Sequence, residues 1–111
     1  MPDFWSRLDE ELDVWRAAGH PAPLWLRDDD AIEPTPALDR LIELTDRFGV
    51  PLLLAVIPAG AGSPLASRLK HCRHIAPCQH GFAHRNHAPA GAKPEELGLH
   101  RPTLQVLAEL R

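Results

Sequence analysis

The run Pro51-Leu52-Leu53-Leu54-Ala55-Val56-Ile57-Pro58 is apolar at every position. A strand with one wet face alternates apolar and polar side chains. A run without alternation is covered on both faces, which is the mark of a parallel sheet. Parallel neighbours need a crossover between them, and one precedes the run. Thr35 is a good N-cap, and Pro36 occupies the first helical position, where a missing N–H costs nothing. Leu38, Leu41, Ile42 and Thr45 then recur at helical spacing, Asp39, Arg40, Glu43 and Asp46 face away, and Gly49 closes the helix. Upstream, Leu24-Trp25-Leu26 reads as a short buried strand that runs into acids, with Trp25 in the core. Strand, helix and strand in this order predict a right-handed βαβ unit and an α/β fold.

The rest of the chain fits around that unit. Phe4, Leu8, Leu12 and Trp15 predict a helix over 3–18, capped by Asp3 and ended by Gly19. His20-Pro21-Ala22-Pro23 is a rigid connector. Ala59 to Gly62 reads as a turn, Ser63 to Leu69 as a short helix, and His74 to Gln79 as a third strand that Pro77 makes short or places at an edge. Residues 80–100 read as loop, and Leu104, Val106, Leu107 and Leu110 predict an amphipathic helix over 102–111. The chain stops inside that pattern without a cap, so the expectation is one partial domain over 1–111, truncated at its carboxyl side.

Composition excludes several classes. An apolar fraction of 44% and a charged fraction of 24% are ordinary for a soluble globular protein. A net charge of -3 gives no reason to expect nucleic acid as a partner. No stretch is apolar and long enough for a membrane span. Met1-Pro2-Asp3-Phe4-Trp5 has no basic start followed by an apolar segment, so no signal peptide is read and the expected location is cytoplasmic. Cys72 and Cys78 are too few for a disulfide scaffold and wrongly spaced for a zinc knuckle; they read as small buried apolar residues.

Two clusters carry the chemistry. Arg27-Asp28-Asp29-Asp30-Ala31 follows the first strand, and His80-Gly81-Phe82-Ala83-His84-Arg85-Asn86-His87 follows the third. Carboxylates and imidazoles are the oxygen and nitrogen ligands of a divalent metal. Both clusters fall at the carboxyl end of a parallel sheet, where α/β proteins place their sites. Neighbouring acids on an extended backbone point different ways, so one can bind an ion while the next addresses a water. His80 and His84 are four apart, and a helical turn would set both on one face. The zinc-protease version of that spacing needs Glu after the first His; Gly81 stands there, so that reading fails. Arg27 is expected to pair with a neighbouring Asp and tune it. His71, His74 and His100 read as structural or surface residues.

At these residues the chain resembles the polysaccharide deacetylase family, the NodB-homology carbohydrate esterases. The family's Thr-Phe-Asp-Asp-Gly motif is matched by Arg27-Asp28-Asp29-Asp30-Ala31, and its His-Ser/Thr-x-x-His motif by His80-Gly81-Phe82-Ala83-His84. A Thr-Pro-initiated helix and an apolar strand lie between them, as Thr35 to Phe48 and Leu52 to Ile57 do here. The resemblance implies part of a distorted (β/α)7 barrel of roughly twice this length. It implies Asp29 as general base and Asp30, His80 and His84 as metal ligands. From the residues themselves, Arg27, Asp28 and His87 read as supporting residues behind them, with His87 alternatively a ligand or a plain loop histidine. With three consecutive aspartates the alternative register makes Asp28 the base and Asp29 the ligand. The implied ion is Zn²⁺, with Co²⁺, Ni²⁺, Mn²⁺ or Fe²⁺ also suited. The implied reaction removes an acetyl group from a carbohydrate or another acetylated small molecule. The departures, Arg27-Asp28 for Thr-Phe, Ala31 for Gly and Gly81 for Ser/Thr, mark a divergent branch. The family's later Arg-Pro and Leu-x-His motifs, the second supplying the catalytic acid, are not found. The alternative expectation is therefore a catalytically incomplete remnant that binds a metal or a partner. Nothing in the sequence sets the oligomeric state.

Overall fold

The computed structural model describes residues 1–111. The elements are α1 (Phe4–Ala17), β1 (Leu26–Ala31), α2 (Pro36–Arg47), β2 (Leu52–Val56), α3 (Ser63–Leu69), β3 (Ile75–Gln79) and α4 (Thr103–Glu109). The three strands form one parallel sheet with β2 in the middle. The apolar run thus takes the central strand, and Leu54 there is 0% exposed. Thr35 caps α2 through its side-chain oxygen, which accepts from the Leu38 N–H at 3.1 Å.

Ala31, Leu38, Ile42, Leu52, Leu54, Leu65 and Ile75 make one core cluster. Leu52 and Leu54 share a face of β2, so α2, through Leu38 and Ile42, and α3, through Leu65, both cover that same face. Register places Arg27, Leu53 and Ala76 side by side on the opposite face. Thr45 is buried under α2 without an orphaned hydroxyl. It donates to the Leu41 carbonyl at 2.8 Å and accepts from His74 Nε2 at 2.9 Å, which ties α2 to the start of β3. β3 is an edge strand, as its proline requires. His74 and His80 pair with β2 through their backbone, so Pro77, out of phase with both, directs its missing N–H outward.

Three expectations are corrected here. Trp25 is not core: it precedes β1 and is 73% exposed. β1 is neither buried nor merely followed by the acids; it begins at Leu26 and contains them, with only Ala31 buried. Cys72 and Cys78 are half-buried, the first against the Arg68 guanidinium at 3.5 Å. The two outer helices contribute little to the core. α1 buries no residue, and α4 buries only Val106. The radius of gyration of 18.8 Å reflects this; a compact chain of this length has about 13 Å. No helix is long and apolar enough to cross a membrane.

Stability therefore rests on the β2 layer. Leu54→Ala should cost about 2–5 kcal/mol, a large part of the reserve of a small domain. Phe48→Ala, at a residue that is 68% exposed, should stay within about 0.5 kcal/mol. Urea titration of both variants compares them, and equal losses would overturn this account of the core.

Candidate metal centre

β1 does not run evenly along β2. Asp28 pairs with Leu54 and Ala31 with Val56, so Asp29 and Asp30 together face Ala55. This is a β-bulge, two residues against one. It has two local consequences. Arg27 and Asp29, two apart on extended chain, share a face, and Arg27 Nε donates to Asp29 Oδ1 at 2.5 Å. Asp30 takes a left-handed backbone, φ 66°, and Ala31 returns to the helix-covered face, where it joins the core. Without the extra residue, Asp30 would follow Leu26 and Asp28 onto that covered face. With it, Asp30 Oδ1 lies 3.0 Å from His80 Nε2 and 3.5 Å from His84 Nε2.

The histidines come from the segment after β3. They are not on a helical turn, which corrects the expectation for the four-residue spacing. The chain is folded instead by two left-handed residues, Gly81 at φ 59° and His84 at φ 57°, and the two imidazole centroids stand 5.2 Å apart. The non-glycine residues with positive φ in this protein are Asp30 and His84, both at this site. Aspartate and histidine tolerate that region better than most side chains, yet it still costs roughly 1–2 kcal/mol per residue. Such strain persists where the surroundings enforce it, and it gathers at functional sites.

What enforces the loop is Glu96, a residue with no signal in the sequence. Its carboxylate accepts from the Ala83 N–H at 2.6 Å and the Phe82 N–H at 3.2 Å. Burial pushes this carboxyl up, but the N–H groups of Ala83, Phe82, Arg85 and His84 outweigh it and hold Glu96 below the usual glutamate range. A Cβ at Gly81 would collide with the same carboxylate, which explains the glycine between the two histidines. The Phe82 carbonyl accepts from Ala59 N–H at 2.8 Å and so anchors the loop beyond the end of β2.

Asp30, His80 and His84 each offer a ligand atom, and these atoms all lie within 4.8 Å of one another. The two contacts to Asp30 bracket the ~3.3 Å edge of a tetrahedron with metal–ligand bonds near 2.0–2.1 Å, so the three donors could hold a small divalent cation. The site is open: Asp30 and His84 side chains are 55% and 56% exposed, His80 23%. A hydrogen bond from Arg27 is the main cause that holds the Asp29 carboxyl below the usual range. Burial opposes it, and the charges of Arg27, His80 and His84 add to it. Arg27 Nη2 also reaches His80 Nδ1 at 3.3 Å. Asp28 pairs with Leu54 in register and lies on the helix-covered side of β1, away from the triad. His87 is half-buried, its N–H donating to the Glu95 carbonyl at 2.9 Å, and it contributes no atom to the triad. His74 holds Thr45, and His100 lies 3.1 Å from Glu95, both as structural residues. Compared with protein-family models, curated proteins and solved structures, the chain matches none of them.

The folded-state value of Glu96 lies below its unfolded value, so its ionised form stabilises the loop above the ordinary glutamate range. That contribution is lost as pH falls through the lower folded value. Amide hydrogen exchange at Phe82 and Ala83 should therefore slow less on acidification than its intrinsic trend, and Glu96→Gln should remove that difference. Gly81→Ala should destabilise the chain by about 1–3 kcal/mol, from the left-handed backbone and the collision together. Chemical denaturation with no measurable loss would show that the loop can refold around a side chain there.

Proposed function

We propose that this chain is a metal-dependent hydrolase that resembles polysaccharide deacetylases and acts on the acetyl group of a carbohydrate-like substrate. The observation that carries the reading is the meeting of Asp30, His80 and His84 at the carboxyl end of a parallel sheet, with the backbone of Asp30 and His84 turned left-handed at the meeting point. Three parallel strands with α2 and α3 on one face suit a sector of a distorted (β/α)7 barrel, and the proposal includes that architecture.

Asp30, His80 and His84 would hold the ion, Zn²⁺ or another divalent cation that accepts mixed nitrogen and oxygen donors. Such an ion supplies Lewis acidity to a water and to the acetyl carbonyl. Asp29, next in sequence to Asp30 and tethered by Arg27, is held in its ionised form and would accept a proton from the attacking water. The same tether makes it a weak base, since Arg27 favours its charged form. Hydrolysis adds water across the C–N bond and gives acetate and a free amine. Beside His84 lies a cleft of ≈ 320 Å³ lined by Arg85, Asn86, Pro94, Glu95 and Glu96. Its lining side chains, Pro94 apart, are polar or charged, although the surface they expose is mostly carbon.

A second reading, a module that binds a metal or partner without turnover, is favoured by one observation. The Leu-x-His motif, which supplies the catalytic acid in the family the chain resembles, is not found in its sequence.

Metal analysis separates success from failure. The chain should take up about one divalent ion, lost in Asp30→Ala and in His84→Ala; no uptake would end the metal reading. With the ion bound, acetate release from N-acetylated oligosaccharides should fall by orders of magnitude in Asp29→Asn while uptake persists. Uptake without any acetate release would establish the second reading.

A further inference from the structure

Arg27 stands where it can govern loading of the triad. Its Nε donates to Asp29 Oδ1 at 2.5 Å, and its Nη2 contacts His80 Nδ1 at 3.3 Å. One guanidinium therefore bridges the first strand and the loop after the third, linking the residue beside Asp30 to a member of the triad. A guanidinium carries five donors, no acceptor and a permanent positive charge. Toward it, His80 Nδ1 can only accept. A neutral imidazole that accepts at Nδ1 carries its proton on Nε2, and Nε2 is the nitrogen 3.0 Å from Asp30 Oδ1. Metal-free, the ring thus carries its proton on the nitrogen nearest Asp30.

An ion shared with Asp30 needs the lone pair of that same Nε2. The proton then belongs on Nδ1, and a ligating histidine ordinarily gives that N–H to a carboxylate, a carbonyl or a water. Here Nδ1 faces a group with donors alone, and its positive charge also opposes an incoming cation. Loading requires the guanidinium to leave His80, and Asp29 is already in place to keep it.

Resting on the metal reading above, we propose that Arg27 is a positioning residue that restrains metal uptake, by holding His80 in the tautomer that an ion at Nε2 cannot use.

The test compares the unmodified chain with Arg27→Gln and Arg27→Lys, titrated with Zn²⁺ and with Co²⁺ against a chromogenic chelator. Glutamine removes the charge and offers a carbonyl to Nδ1–H, so Arg27→Gln should bind roughly tenfold tighter, the scale on which groups behind metal ligands act. Arg27→Lys keeps a charged donor and should show no gain. Long-range ¹H–¹⁵N NMR reads the tautomer without any substitution. Metal-free, the unmodified chain should show His80 protonated at Nε2, and zinc should move the proton to Nδ1. Equal or weaker binding by Arg27→Gln, or an Nδ1-protonated His80 in the metal-free unmodified chain, overturns the role of Arg27. If Asp30→Ala still abolishes uptake in that case, the metal reading stands alone. No uptake by any of the chains would overturn both.

Discussion

Between Asp28 and Ala31 the first strand carries one residue more than its neighbour, and the backbone absorbs the excess by turning Asp30 left-handed. A strand otherwise delivers alternate side chains to alternate faces, so a single extra residue reassigns everything beyond it. Here it sends Ala31 into the core and frees Asp30 from the helix-covered face. Arg27 and Asp29 remain paired on the other face because they precede the irregularity. Three adjacent aspartates thereby acquire three different surroundings: a register partner in Leu54, a guanidinium, and two imidazoles.

The loop after the third strand answers that bulge with matching means. Glycine and histidine adopt left-handed conformations, and a remote carboxylate satisfies the N–H groups that such a path leaves without secondary-structure partners. The side chains of the triad are thus held by backbone geometry more than by burial. This explains how an exposed triad keeps a short-range arrangement: two of its members are more than half exposed, yet their backbones are fixed by a parallel pairing and by the Glu96 cap. The cost in backbone strain is borne by a small core centred on Leu52 and Leu54.

Much of the fold was legible in the chain because its signals are local. The non-alternating run of residues 51–58, the Thr35-Pro36 start and the Gly49 stop act over a few residues, and they place β2 and α2 closely. Asp3 and Gly19 bound α1 in the same way. The errors fall where burial depends on what lies opposite. Trp25 and the apolar stripes of α1 and α4 carry the pattern of covered surfaces, yet of these residues only Val106 is buried. An apolar pattern states what a segment can bury, and only its neighbours decide whether it does.

At the candidate site the division is similar. Residue type and order alone marked the run Asp28-Asp29-Asp30 with His80 and His84 as donors at the end of a parallel sheet, because metal chemistry admits few side chains and strands deliver their ends to one side. Which aspartate meets the histidines was open between two registers; the bulge decides it for Asp30, and a bulge depends on pairing with another strand. Glu96 and the contact between Arg27 and His80 join residues fourteen and fifty-three positions apart. No periodicity encodes such separations. The sequence by itself determined the kinds of donor and the strands that carry them. Tertiary structure decided which oxygen meets which nitrogen, since that depends on backbone turns enforced by partners distant in the chain.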